Sequence, residues 1–258
     1  MRFNGYKIAL IVLMMSPTFN SFYASNLKSF SSKVDAIFKE TNTDNRPGCA
    51  VGVIKDNQYI HNAGYGMANL EHGIKITPDS IFRIASVSKQ FTAMAIALLE
   101  EKNLLSFDDP MDKHIPNLID YQETVTIKHM IHHFSGLGDY EVSSYPNRFK
   151  NAVGEEFRWG NEDYMSNSEF YEMIKTLPLI MEPETKFHYS NTGYALLSLV
   201  VENVSGSSLR EFAKKEIFEP LGMDASFFND NVNLIVKNRA DGYSPIKRQP
   251  GKYEINMT

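Results

Sequence analysis

One cysteine, Cys49, is all the thiol this chain has. An internal disulfide is therefore impossible, and a zinc site built on several thiolates is excluded. An excess of positive charge is also missing. Lysine and arginine total 26 against 31 aspartates and glutamates, a net charge of -5. That balance argues against a nucleic-acid partner, which wants a basic surface. Apolar runs long enough to span a bilayer are missing too. The run at the N-terminus, Ile8 to Met15, is too short for a spanning helix. Internal repeats and low-complexity tracts do not occur either.

What is present begins with that N-terminus. In "MRFNGYKIALIVLMMSPTFNSFYAS", Arg2 and Lys7 precede the apolar run, and small and polar residues follow it. This is the layout of a secretory signal peptide. A leader over residues 1–24 and an exported, periplasmic or secreted protein are expected, with no stable membrane span once the leader is removed. A short membrane anchor is the alternative. An exported chain without disulfides has to rely on a hydrophobic core, and 258 residues allow one.

Leu27, Phe30, Val34, Ile37 and Phe38 recur at helical spacing, which predicts an amphipathic helix over 26–41. "GCAVGVIKD" and "QYIHNAGYG", parted by Asp56–Asn57, read as a β-hairpin. "ANLEHGIKITPDS" reads as a polar surface crossing. Ile84 to Glu101 is apolar almost all round, the pattern of a buried helix. Shorter helices are predicted over 126–134, 168–176, 192–204 and 207–218. Residues 139–168 read as a long surface excursion, and the last thirty residues as a polar tail. The order implies an α+β chain richer in helix than in strand. A domain over 25–258 is expected in three parts: an α/β part to 105 with the Ser86 helix, a mainly helical part over 106–230, and the truncated start of a C-terminal sheet part over 231–258.

Ser86 and Lys89 stand three apart at the head of the apolar helix. The spacing is weak by itself, because Ser25–Lys28 and Ser244–Lys247 share it. Only Ser86 opens a predicted buried helix. A serine hydroxyl needs a neighbouring base to act as a nucleophile, and residues three apart lie on one helical face. Burial disfavours the ammonium form of a lysine and lowers its pKa, which would fit Lys89 for that task. The positive end of the helix dipole acts in the same sense. The plain alternative is a capping serine and a lysine that snorkels to solvent. A second cluster lies in "FHYSNTGYALL". Tyr189 and Asn191, two apart in an extended segment, point to one side. A phenol can shuttle a proton, and an amide can bond a substrate amide. Asn191 or Thr192 could equally cap the following helix, and Tyr189 could be a core residue. Tyr145–Pro146–Asn147 has the same spacing but no apolar helix after it.

"SVSK" opening an apolar helix and "YSN" about a hundred residues later together resemble the serine β-lactamase and penicillin-binding protein family. The nearest branch is that of class C β-lactamases, D,D-peptidases and their esterase-like relatives. The blocks "GYGMANLEHGIKITPDSIFRIASVSKQFTAMAI", "TIKHMIHHFSGL", "YSNTGYALLSLVVENVSG" and "EIFEPLGM" occur in the same order as in that branch. The resemblance implies a β-lactamase/transpeptidase-like fold, an antiparallel sheet with flanking helices beside a mainly helical domain. It implies a serine hydrolase working through an acyl-enzyme, with no cofactor. Ser86 would be the nucleophile, Lys89 its base, and Tyr189 a proton carrier. Asn191 would hold the substrate amide, and the Ser86 backbone N–H would form half of an oxyanion hole. A β-lactam, a D-alanyl peptide or a small ester would be the substrate.

The family's third element, lysine or histidine followed two places on by glycine, is not found after Tyr189. None of Lys214, Lys215, Lys237, Lys247 and Lys252 has that glycine, and the last histidine is His188. The expectation is a chain that lacks the C-terminal strands of the sheet. The alternative function is a non-catalytic penicillin-binding-like protein that holds peptidoglycan peptides or a partner. His129, His132 and His133 have a possible metal spacing, but no metalloprotease glutamate accompanies them, and no metal site is expected.

Overall fold

The computed structural model of the chain describes residues 17–140, 167–231 and 233–256. The architecture is α+β, with helices and small antiparallel sheets. Most of the expected leader and most of the 139–168 excursion, with Tyr145, Asn147, Phe157 and Trp159, lie outside the described residues. The chain divides into two compact units. Among the described residues, one comprises 17–82 and 237–256, the other 83–140, 167–231 and 233–236.

The first unit opens with α1 (Pro17–Ile37), which begins earlier than the periodicity suggests. β1 (Cys49–Lys55) and β2 (Gln58–Tyr65) pair antiparallel. Their turn is Asp56–Asn57, both at positive φ (49° and 59°). This is the left-handed pair that a tight two-residue hairpin demands. Two further hairpins correct the sequence reading. β3 (Met67–Asn69) pairs with β4 (Ile74–Lys75) inside the segment read as a surface crossing. β5 (Gly242–Pro245) pairs with β6 (Tyr253–Asn256) inside the segment read as a polar tail. Neither has an apolar run to announce it. Both are held by polar and backbone bonds instead. Asn69 Nδ2 donates to Asp241 Oδ2 at 2.7 Å, and the Leu70 N–H donates to Tyr243 Oη at 2.8 Å. The Asp241 N–H reaches the Ala68 carbonyl at 2.9 Å.

The second unit holds the larger core. α2 (Lys89–Glu101) packs on α5 (Asn191–Ser205) and α6 (Leu209–Ala213). α3 (Ile127–Ile131) and α4 (Asn167–Ile174) flank α5. Ile96, Leu99, Met130, Leu196, Leu197 and Val200 are fully buried at the centre. Each such side chain contributes about 1.5–3 kcal/mol by leaving water. The expectation that the apolar helix is buried all round is corrected. Thr92, Ala95, Ile96 and Leu99 are buried, but Met94 and the preceding Val87 are exposed, because only one face meets α5 and α6. α6 is shorter than predicted and continues as a π-helical turn over Lys214–Phe218.

Candidate active site

Ser86 does not sit in α2 itself. Residues Ala85–Ser88 form a 3-10 turn that leads into it. In a 3-10 turn, residues i and i+3 eclipse, so Ser86 and Lys89 stack more directly than on an α-helix. Ala85 takes φ of 44°, a left-handed conformation that costs a residue with a Cβ about 1–2 kcal/mol. Strain of this kind recurs where a fold holds a reactive group, and here it immediately precedes an exposed serine. The turn is fixed by Ser88 Oγ, which donates to the Ala85 carbonyl at 2.6 Å.

Four predicted residues meet at this turn. Lys89 Nζ donates to Ser86 Oγ at 3.3 Å and to Asn191 Oδ1 at 2.5 Å. The Tyr189 hydroxyl donates to Ser86 Oγ at 2.6 Å. Lys89 Nζ also lies 4.8 Å from the Tyr189 ring centre and 5.4 Å from that of Tyr194. The picture of Lys89 enclosed by hydrocarbon is corrected. It is half-buried at the first turn of α2, surrounded by two oxygen acceptors and two ring faces. Burial pushes the Tyr189 phenol up. Hydrogen bonding to Lys89 and Ser86, and the lysine charge, outweigh that and hold it below the ordinary tyrosine value.

The α5 cap is Ser190, not Asn191 or Thr192. Ser190 is extended, and its Oγ accepts from the Gly193 N–H at 3.1 Å. A cap at Ser190 leaves its two neighbours, Tyr189 and Asn191, for the site. The whole segment is clamped by the loop that follows α3. His133 Nδ1 accepts from the Ser190 N–H at 3.1 Å, and Ser190 Oγ donates to the Gly138 carbonyl at 3.2 Å. The His188 N–H donates to the His133 carbonyl at 2.8 Å. Asp139 accepts from the Asn191 backbone N–H at 3.1 Å and from its Nδ2 at 2.7 Å. Gly136 turns that loop at φ of 74°, and a Cβ there would stand 2.2 Å from the Met181 carbonyl oxygen.

His133 and Asp139 are the site residues that sequence reasoning missed. The His133 ring stacks on Tyr189 at 4.6 Å and 28°. Burial, and then the Lys89 charge, hold the imidazole below its usual range. Its acceptor at Nδ1 leaves the ring proton on Nε2. The histidine cluster thus has other employment. His129 closes the α3 capping box and pairs with Glu184 at 2.9 Å. Among the described residues no group of His, Cys, Asp and Glu could hold a metal ion. No helix among them is long and apolar enough to cross a membrane.

The arrangement is chemically suited to acyl transfer onto a serine: an exposed hydroxyl with a cation and a phenol on it, and an amide locked behind them. Penicillin-binding protein 4* of Bacillus subtilis is 37% identical over 168 residues, 64% of this chain and 34% of the relative. The chain spans about a third to two-fifths of the length of the curated relatives it matches. The octameric penicillin-binding protein homologue from Pyrococcus abyssi superposes with a TM-score of 0.66 at 31% identity, over 90% of this chain and 50% of that one. A β-lactamase/D-alanine carboxypeptidase from Yersinia pestis shares the fold at a TM-score of 0.61 and 23% identity, over 83% of this chain and 57% of that one. The family model described as Beta-lactamase matches residues 34–251, most of the chain, and the protein belongs to that family of serine hydrolases and penicillin-binding proteins.

Proposed function

We propose that this chain is an exported serine acyl-transfer protein that cleaves an amide, β-lactam or ester bond through an acyl-enzyme on Ser86. The observation that carries the reading is the meeting of Ser86, Lys89, Tyr189 and Asn191, from elements a hundred residues apart, within hydrogen-bond reach of one another. Ser86 Oγ attacks the substrate carbonyl carbon, and the new C–O bond forms as the hydroxyl proton passes to Lys89, which takes it as the neutral amine and becomes the ammonium. Tyr189, bonded to Ser86 and held below its ordinary pKa beside Lys89, then delivers a proton to the leaving nitrogen or oxygen as the scissile bond breaks. Water then attacks the acyl-enzyme and gives its proton to the Tyr189 phenolate, and Lys89 returns its proton to Ser86 Oγ as the acyl C–O bond breaks. The positive head of α2 and the backbone at Ser86 favour the oxyanion.

The experiment is intact mass after mixing the chain with benzylpenicillin or an activated ester, with Ser86→Ala as control. A Ser86-dependent adduct that clears supports a hydrolase. One that persists supports a penicillin-binding role without turnover, the reading favoured by the name of the 37% identical relative. No adduct on folded protein would sink both.

A further inference from the structure

We infer that Asp139 is a positioning residue of this site: its carboxylate fixes the Asn191 side-chain amide with Oδ1 turned to Lys89, and so holds the lysine Nζ on Ser86. The inference rests on the acyl-enzyme reading of the same site.

Asn191 stands between two charged neighbours of opposite kind. A carboxylate can only accept hydrogen bonds, and an ammonium can only donate them. The amide nitrogen must therefore face Asp139, at 2.7 Å, and the amide oxygen must face Lys89, at 2.5 Å. Either neighbour alone biases the amide, and together they leave it one orientation. Asp139 also accepts from the Asn191 backbone N–H at 3.1 Å, so one carboxylate grips the residue at two points. That double contact fixes the side chain relative to the start of α5. The consequence reaches the nucleophile, because the lysine that bonds Asn191 Oδ1 is the one that bonds Ser86 Oγ. An amide turned the other way would aim N–H groups at Nζ and push it off the serine. The same carboxylate opposes the Lys89 charge at two other groups of the site, His133 and Tyr189.

Three proteins test this: Asp139→Asn, Asn191→Asp, and the two together. Asp139→Asn presents an amide to an amide and frees Asn191 to turn. Its Ser86 acylation by benzylpenicillin, followed by intact mass, should slow about 10²-fold, as misplacement of a catalytic group does, with an unchanged melting temperature. The exchanged pair restores the pattern, since Asp at 191 accepts from Lys89 and from the amide now at 139. It should acylate at least about tenfold faster than Asp139→Asn at its own best pH, an order-of-magnitude share of that loss. A rescue of this sort is outside the reach of a merely structural aspartate. A folded Asp139→Asn protein that acylates at the parent rate overturns the inference, as does an exchanged pair no faster than the single variant. NMR of the Asn191 side-chain NH2, without substrate, separates this from failure of the functional reading. A slowly exchanging NH2 proton lost in Asp139→Asn supports the clamp even on a chain that forms no adduct. Its absence from the parent protein overturns the clamp even where Ser86 acylates.

Discussion

Tyr65 and Tyr189 are the same residue in two opposite electrostatic settings. Tyr65, in the first unit, is 3% exposed and closes a chain of three 2.7 Å bonds, Ser31–His61–Tyr65–Asp35. Its hydroxyl donates to Asp35, so His61 Nε2–H donates to it, and His61 Nδ1 accepts from Ser31. Burial, then the Asp35 carboxylate, push that phenol up to about 12. Tyr189, in the second unit, is 40% exposed and stands beside Lys89, and its phenol lies below the ordinary value. On paper each region has a serine, a tyrosine and a charged partner. What separates them is the sign of the partner. A carboxylate bonded to a buried phenol locks the phenol proton in place. A lysine at an open surface makes it mobile. The first arrangement ties α1 to β2, and the second can do proton transfer on a nucleophile.

The largest effect follows from removing each hydroxyl. Tyr189→Phe should slow Ser86 acylation by about 10²–10⁴, the usual share of a proton carrier, with little change in melting temperature. Tyr65→Phe should leave acylation untouched. An equal loss in both proteins, read by intact mass, would erase the distinction. Lys89→Met sharpens it from the other side. With the lysine gone, burial and the Asp139 charge still push the Tyr189 phenol up and only the Ser86 hydrogen bond holds it down, so its pKa should climb. Tyrosine ring NMR against pH reads this, and a Tyr189 resonance that titrates where it did before would show the lysine to be irrelevant.

A smaller effect is expected on stability. Tyr65→Phe leaves a buried His61 without one partner, at about 1–3 kcal/mol for an unsatisfied polar group. Denaturant midpoints should fall accordingly, while Tyr189→Phe, exposed to water, should barely move them. The linkage has a definite sign. The Tyr65 pKa is raised in the fold, so the stability it contributes is whole below pH 10. It is lost as pH rises from 10 through about 12. Parent protein should therefore lose stability across that window more steeply than Tyr65→Phe.

The four residues that meet at the candidate site were legible because each pair is local. Ser86 with Lys89, and Tyr189 with Asn191, sit two or three residues apart, where backbone geometry alone puts side chains on one side. Asp139 and His133 were not legible, because their partners are 52 and 57 residues away and only the folded loop brings them there. His133 was even visible, but as a member of a histidine cluster whose spacing suggested a metal. The β5–β6 hairpin escaped for another reason. Tyr243, Ser244 and Pro245 opposite Tyr253, Glu254 and Ile255 give no clean alternation, and the bonds to Ala68, Asn69 and Leu70 that anchor the region are long-range. The capping serine was misplaced by one or two residues, as helix ends read from periodicity commonly are.

The mildest test of the comparison is Ser31→Ala. Ser31 is the half-buried outer end of the Tyr65 chain, and its hydroxyl meets His61 Nδ1 at 2.7 Å. Ser86 meets Tyr189 at a similar length, 2.6 Å. If bond length decided the role, the two serines would matter alike. If the setting decides it, loss of the Ser31 hydroxyl should cost only about 1 kcal/mol, the net value of one ordinary hydrogen bond. That is a fall of about 2–4 °C in melting temperature for a chain of this size, with acylation unchanged. The ring nitrogen it leaves can turn to water, since Ser31 borders solvent, which caps the cost well below that of Tyr65→Phe. A drop as large as that of Tyr65→Phe would mean the chain acts as one cooperative unit from Ser31 to Asp35, closed at its outer end as tightly as at its centre.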